Sequence, residues 1–483
     1  MSLTAKIARN TVVQLGGKAV GLMATVMTVA IMTRALGAAG YGAYTAAFAF
    51  LQVAFILVDL GLQMTTVTLI SDARRDPATV FSNIMGLRLT TAVAMAGLAV
   101  GGAWLLNYAP DVRQSVMGLA ALFVAADLIA VLTGVFQYRL AMARAAMAEI
   151  AGKLALLIGV AAAAGLGGGL REMVMATSAA AALHAVLLWV LARGLLPFRV
   201  RYDLAVWRDI ARTTWPLALT IAFNLVYFKM DTVILSWSWP AADVGRYGAP
   251  YRILELCINL GYLFLGLVLP LLTQATAGSD RTRFGHLLQR SFDGIVAVTL
   301  PLVVGGALLA TPLMVLVAGP EFSASGPLLS ILLVATGIIL LAAVFGYGIV
   351  ALGKQRMMLP YYAGNAAVVL VAYLIFIPRY GTLAAAWLTV GSELVILGAN
   401  LLVMYRVTGF VPRLMIAGKA MLAAAVMASV LMLLPSWPVA LLVALGGSIY
   451  LLLLRLLGGI PADLIGSMLG REPSPPSVRA APR

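Results

Sequence analysis

Apolar stretches of about 20 residues recur along the whole chain, and they constrain the fold more than any other feature of the sequence. A helix of about 20 residues crosses the roughly 30 Å hydrocarbon core of a bilayer. Strand-sized segments of alternating polarity, which mark a membrane barrel, do not occur in series. With 62% hydrophobic and 11% charged residues, a chain of 483 residues could not present a water-soluble surface. We therefore predict an all-α polytopic membrane protein.

The apolar stretches predict about fourteen transmembrane helices, with ends placed to within about four residues. The first stretch continues well past the length of a signal-peptide core, so we interpret it as a retained helix. The predicted spans are 10–33, 42–70, 81–106, 114–136, 148–168, 172–192, 213–237, 246–273, 291–318, 326–352, 358–377, 381–405, 414–434 and 437–457.

Basic residues accumulate in alternate loops. About 21 lie on one side of the predicted spans and about 5 on the other, and cytoplasmic loops carry such an excess. We expect a multi-pass protein of the bacterial inner membrane with both termini in the cytoplasm. This distribution accounts for the net charge of +15 without nucleic acid, because short loops build no folded basic patch. Membrane lipids with anionic heads are the expected partners.

Two short segments repeat at nearly equal offsets. The sequence IARN at Ile7–Asn10 returns as IART at Ile210–Thr213, and Tyr-Gly-Ala at 41–43 returns at 247–249, with offsets of 203 and 206 residues. Six spans separate the copies, so the two halves have the same orientation in the membrane. We predict two six-helix lobes around a central cavity plus two C-terminal helices. The predicted units are 1–205, 206–408, 409–460 and a disordered cytoplasmic tail, 461–483.

The sequence has few of the residues that enzymes use for chemistry. It has one cysteine, Cys257, and two histidines, and it carries no HExxH, GxSxG or GxxxxGK[ST] motif. We therefore expect neither an enzyme nor a bound metal or cofactor, with H⁺ or Na⁺ as the candidate coupling ion of a transporter.

Several motifs resemble the Wzx-type oligosaccharide flippases of the polysaccharide transporter family, within the multidrug/oligosaccharidyl-lipid/polysaccharide exporter superfamily. They are TRALGAAGYGAY and VDLGL in the first half, and YFKMDTVIL at 227–235, VGRYGAPYRILEL at 244–256 and AGPEFSASGPLL at 318–329 in the second. Together they extend over most of the chain, and the two six-helix lobes of that superfamily agree with the repeat.

The resemblance implies that an undecaprenyl-pyrophosphate-linked oligosaccharide moves from the cytoplasmic to the periplasmic leaflet by alternating access, for O-antigen, capsule or exopolysaccharide synthesis. A polysaccharide polymerase and chain-length machinery are then candidate partners. One alternative is an ion-coupled multidrug antiporter of the same superfamily, which has about twelve spans and acidic cavity walls. A membrane glycosyltransferase or polymerase is a third hypothesis, but it would need a sizeable extramembrane loop.

A flippase for an anionic lipid head needs cations and hydrogen-bonding groups in a hydrated cavity, which the repeat places between spans one, two, seven and eight. Arg252 and Asn259 lie with Glu255 on one stripe of span eight, and a guanidinium offers paired donors to phosphate. Lys18 in span one either faces substrate or extends to the interface. The candidate substrate-binding residues are Gln14, Lys18, Lys229, Arg252 and Asn259.

Acidic residues inside spans either bond a neighbouring helix or couple an ion. Glu255 is interpreted as a proton carrier or as the resting counter-ion of Arg252. An intramembrane salt bridge or interhelical hydrogen bond is the alternative for Lys229 and Asp231, and Arg88 is expected to extend to the cytoplasmic interface. For Glu393, both roles remain possible: a bond to a neighbouring helix or the coupling of an ion. The ion-coupling candidates are Asp59, Asp127, Asp231 and Glu255.

Overall fold

A computed structural model describes residues 3–59, 62–71, 76–278, 280–434 and 437–459, with side chains except those of 3–16, 19, 56–59, 62–65 and 211–227. The described residues form helices and their connections, with no strand among them. The helices are α1 Leu3–Asp59, α2 Leu62–Ile70, α3 Pro77–Leu105, α4 Pro110–Tyr138, α5 Met142–Gly165, α6 Leu170–Arg193, α7 Leu204–Ser238, α8 Ala241–Ala277, α9 Arg281–Leu308, α10 Ala310–Ala318, α11 Gly326–Ala351, α12 Leu359–Thr408, α13 Met415–Met432 and α14 Val439–Leu456.

Two of these helices are long enough to be read as two spans each. Helix α1 bends at Gly37 and α12 bends at Gly381, where positive φ angles of 64° and 61° interrupt the helical backbone. Glycine tolerates this conformation because it has no Cβ. The connections expected between spans one and two and between spans eleven and twelve are therefore short turns at Gly37 and Gly381, each of which separates two helical arms. Lys18 and Gln52, on the two arms of α1, line the same cavity.

The outer surface of the helices is apolar. Large aliphatic side chains such as Leu98, Ile158 and Val368 are 68%, 67% and 69% exposed, which is costly in water and favourable against lipid tails. Eleven helices of the described residues are long and apolar enough to cross a membrane. The prediction of an all-α multi-pass membrane protein is confirmed, and fourteen crossings remain a prediction.

The helices pack as two neighbouring groups. Helices α1–α6, here called the N-terminal bundle, contact one another mainly through α1, α4, α5 and α6, while α7–α12, the C-terminal bundle, are organised around α11 and α12. Helix α13 packs on α9 and α14 on α13. Between the bundles, the most extensive contact joins α1 and α8.

Helices α1 and α8 touch backbone to backbone at a pair of glycines. A Cβ on Gly42 would lie 1.6 Å from the carbonyl oxygen of Ala241, and a Cβ on Gly245 would lie 2.0 Å from that of Ala38. The contact is reciprocal, since Gly42 corresponds to Gly245 and Ala38 to Ala241, each pair 203 residues apart. A two-fold relation between repeated helices gives this pattern. Of the two offsets found in the sequence repeat, 203 and 206 residues, the reciprocal contact agrees with 203.

Further contacts join the bundles at the same end of the helices. The Arg34 guanidinium donates hydrogen bonds to the carbonyls of Leu316 and Val317, at 2.5 and 2.8 Å. These carbonyls belong to the last turn of α10, where a helix leaves acceptors unsatisfied. Tyr41 packs edge-on against Phe322, with ring centroids 6.2 Å apart. The α4–α5 and α6–α7 connections, which are rich in arginine, lie at the opposite end of the helices. We call that opposite end the arginine-rich end.

The crossing predicts a large difference between two glycine-to-alanine variants. Gly42→Ala should lower the melting temperature and folded yield, because the helices must separate and overpacking costs about 1–3 kcal/mol or more. Gly101→Ala is the control, since a Cβ there meets nothing within 4 Å and alanine favours a helix by about 1 kcal/mol. Thermal unfolding of purified protein measures both. Equal melting temperatures would show that the crossing does not constrain the fold.

Candidate functional site

Two large cavities lie on the arginine-rich side of the glycine crossing. One, the interbundle cavity, has a volume of about 520 Å³ and lies between α1, α5 and α8. The other, the N-bundle cavity, has a volume of about 690 Å³ and is enclosed by α1, α3, α4, α5 and α6. The side chains of Lys18, Glu149 and Lys153 line both, so the cavities lie side by side.

The interbundle cavity brings together polar groups from three helices. Lys18 is exposed within it, and Asn259 faces it from α8. Lys153 of α5 donates a hydrogen bond to Thr25 Oγ1 at 3.2 Å, which holds its ammonium at the cavity wall. Two of the predicted substrate-binding residues therefore share a cavity, together with a lysine on a helix that the sequence did not place in the wall.

A buried ion pair forms one side of the N-bundle cavity. Arg88 Nη2 of α3 lies 3.1 Å from Asp127 Oδ1 of α4, and the Arg88 side chain is only 1% exposed. The expectation that Arg88 extends to the interface is therefore wrong. A carboxylate on the neighbouring helix compensates the guanidinium where it stands, so it need not reach water.

The closest group of charges lies in a small pocket of about 50 Å³ between α1, α7 and α8. Glu255 accepts from two cations, Lys229 at Oε1 and Arg252 Nη1 at Oε2, the latter at 2.6 Å. We call these three residues the Glu255 cluster. Two cations share one carboxylate, so the cluster carries a net positive charge.

Aromatic rings cover the cations of the Glu255 cluster. The Lys229 ammonium lies 4.5 Å from the ring centre of Tyr251 and 5.3 Å from that of Phe228, and the Arg252 guanidinium lies 5.1 Å from that of Phe48. Rings attract cations through their negative faces. The Lys229 side chain is 7% exposed and that of Arg252 is 31% exposed, so Arg252 is the more accessible.

Asp231 is held by hydrogen bonds and not by Lys229. Its carboxylate accepts from Tyr247 Oη of α8 at 2.6 Å and from the backbone and hydroxyl of Thr232 at 2.5 and 3.1 Å. Of the two alternatives for this aspartate, the structure shows the interhelical hydrogen bond. Lys229 is left to pair with Glu255.

Some candidates fall outside these clusters, and some lining residues were not predicted. The side chains of Gln14 and Asp59 lie outside the described residues. Glu149 and Lys153 are the missed charges. They are four residues apart at the start of the fifth predicted span, so they share one helix face. Two opposite charges on one face of an apolar span were the signal that could have identified them.

The charges of the cavities and the pocket do not balance. The cations are Lys18, Arg88, Lys153, Lys229 and Arg252, against the carboxylates of Asp127, Glu149 and Glu255. Such an excess in a low-dielectric surrounding attracts an anion and repels a cation.

The fold and this lining together define a multi-pass membrane protein with cation-rich internal cavities. A sequence profile described as polysaccharide biosynthesis protein matches residues 7–276, which is more than half of the chain. The chain therefore belongs to the polysaccharide biosynthesis protein family. Among curated protein sequences, none matches it.

Solved transporter structures share the fold. The lipid II flippase MurJ in an inward closed conformation matches with a TM-score of 0.76 and 12% identity, covering 96% of this chain and 100% of MurJ. An inward-facing multidrug resistance MATE family transporter of the MOP superfamily matches with a TM-score of 0.61 and 14% identity, covering 82% and 97%. A MOP superfamily transporter from Pyrococcus furiosus matches with a TM-score of 0.56 and 13% identity, covering 84% and 95%.

The ion pair in the N-bundle cavity predicts an asymmetric response to substitution. Arg88→Met should lower the free energy of unfolding by about 3 kcal/mol, because it leaves the Asp127 carboxylate without its cation. The double variant Arg88→Met/Asp127→Leu removes both charges and should recover most of the loss. Denaturation of the purified variants measures both. If the double variant were no more stable than the single one, the pair would not be what stabilises this contact.

Proposed function

We propose that this protein is a flippase that moves a lipid-linked oligosaccharide, of the undecaprenyl-pyrophosphate type, from the cytoplasmic to the periplasmic leaflet for surface polysaccharide synthesis. The observation that supports this most is the excess of cations in the cavities between and beside the two bundles. Family membership and the MurJ fold agree with it.

In the proposed complex the diphosphate binds among Lys18, Lys153 and Arg252. Arg252 presents a guanidinium that is 31% exposed and whose nearest anion is Glu255. A diphosphate can take paired hydrogen bonds from this group. Glu255 stays neutralised by Lys229 in that event, so binding the anion does not leave an isolated carboxylate in the membrane. Oligosaccharide hydroxyls would occupy the larger cavities, while the lipid tail stays in the bilayer.

Access alternates in this proposal. The bundles are joined at the glycine crossing and by Arg34, and the cavities lie toward the arginine-rich end. With that end in the cytoplasm, as the distribution of basic residues favours, the structure corresponds to a state closed toward the periplasm. Release would require the crossing to open while the arginine-rich end closes.

The lining charge also bears on the other two hypotheses. The fold is shared with multidrug transporters, but a wall with more cations than carboxylates repels cationic drugs. A glycosyltransferase would place catalytic acids outside the membrane, whereas Asp127, Asp231 and Glu255 lie within helices and are bound to cations or hydroxyls.

Deletion of the gene tests the function directly. Lipid-linked oligosaccharide should accumulate in the cytoplasmic leaflet and surface polysaccharide should fall, and complementation with the intact gene should restore both. Leaflet-specific labelling of the sugar measures the distribution. Unchanged periplasmic delivery in the deletion strain would refute the flippase.

Arg252→Ala tests the proposed anion site. A hydrogen bond to a charged group contributes about 1.5–3 kcal/mol, so we expect export to fall about tenfold or more at unchanged protein level. Arg281→Ala is the matched control, because this arginine is exposed at the start of α9 and lines none of the three cavities. Equal export by both variants would remove Arg252 from the site.

A further inference from the structure

One acidic residue inside the C-terminal bundle takes no part in the site described above. Glu393 lies in the second arm of α12, twelve residues beyond the bend at Gly381, which is roughly 18 Å along the helix. The residue is 4% exposed. A glutamate side chain is too short to reach an interface from that depth, so its carboxyl must be accommodated within the bundle.

The surroundings of Glu393 are polar but uncharged. Tyr262 of α8 and Tyr362 and Tyr373 of α12 lie close enough to feel its charge. Asn400 lies two turns further along the same face of α12 and donates a hydrogen bond to the Ile396 carbonyl at 3.1 Å. Together with Glu393, these residues form a cluster of polar side chains inside the C-terminal bundle. Its next neighbours are Tyr347 of α11, whose ring lies 6.3 Å from Tyr262, and Asp231 of α7, which acts on Tyr373.

Glu393 is buried and, unlike Glu255, Asp127 and Asp231, has no partner among the described side chains that stabilises a negative charge. Glu255 is bound to two cations, Asp127 to Arg88 and Asp231 to Tyr247 and Thr232. For Glu393, no hydrogen bond or ion pair is formed with any side chain that the structure describes. A buried carboxylate without such a partner is costly.

A proton fits this position better than a metal ion. Sodium would need several oxygen ligands converging on one point, whereas no described side chain lies within hydrogen-bonding distance of the Glu393 carboxylate. The described residues contain no group of three or more His, Cys, Asp or Glu that could hold a metal. A proton needs only the carboxyl itself.

We propose that Glu393 is a proton-binding site in the C-terminal bundle and that its loading and unloading couple the transporter to the proton gradient. The coupling role rests on the proposed function, since a flippase without a nucleotide site needs another source of free energy. Proton binding itself does not depend on the transported lipid. The two can therefore be tested separately.

Labelling with dicyclohexylcarbodiimide tests the proton site without substrate. This reagent adds to protonated carboxyls in apolar surroundings, and mass spectrometry locates the adduct. In intact protein in lipid nanodiscs, we expect an adduct at Glu393 that decreases as the pH is raised and is lost in Glu393→Gln. Glu172→Gln, at the exposed start of α6, should keep the adduct.

Three results would overturn the proton site: no adduct at Glu393 at any pH, an adduct independent of pH, or protection by sodium at constant pH. The last would assign a metal cation instead. In cells, Glu393→Gln should lose proton-dependent export at unchanged protein level, and Glu393→Asp should restore part of it. Full export by Glu393→Gln would refute the coupling role. If deletion of the gene left delivery unchanged while the adduct behaved as expected, the proposed function alone would fail.

Discussion

The backbone contact of α1 with α8 at Gly42 and Gly245 is the constraint on which the cavities depend. Two helices can approach so closely only where neither has a side chain. The glycine contact holds α1 and α8 together at one point. From there both helices continue toward the arginine-rich end, with larger residues such as Phe48 and Arg252 between them. The space between the bundles therefore widens away from the crossing, and the interbundle cavity lies in that wider part.

The same geometry determines which charges can be tolerated. Within the N-terminal bundle, the buried guanidinium of Arg88 is compensated by the carboxylate of Asp127. Near the pocket at the bundle interface, Lys229 and Arg252 share the single carboxylate of Glu255. An excess cation is acceptable there because the pocket is next to the cavities and the rings of Tyr251 and Phe48 face the charges. The positive character of the site thus follows from its position between bundles.

Sequence periodicity and composition were sufficient for the fold class and for one part of the site. Apolar length gives membrane helices directly, and the i, i+3 spacing of Arg252 and Glu255 places them on one face, where the structure pairs them. The single-glycine turns at Gly37 and Gly381 were not predictable in the same way, because a small-residue segment is compatible both with a longer loop and with a break at one residue.

Partners across helices could not be predicted from one sequence. Whether Lys229 meets Asp231 or Glu255 depends on how α7 is rotated against α8, and the apolar pattern does not determine this, because lipid-facing and core-facing positions are both hydrophobic in a membrane helix. Likewise, Lys153 of α5 reaches the cavity wall only because α5 packs on α1, where the lysine donates a hydrogen bond to Thr25. The reciprocal glycine contact, in contrast, has a sequence signal in the repeat, but only the structure selects its register.

Helix α8 connects the two polar regions of the molecule. It carries Gly245 at the crossing, Arg252 and Glu255 in the pocket, and Tyr262 beside Glu393, ten residues or roughly 15 Å beyond Arg252. Gly245 and Tyr262 belong to the same helix, which contains Pro250 between them. In the proposed cycle, a displacement of α8 that opens the crossing also changes the position of Tyr262 relative to Glu393. An anion bound at Arg252 and a proton bound at Glu393 would then act on the same element. Coupling between the two sites requires a shared element with two arrangements, and α8 is a helix that contributes residues to both sites.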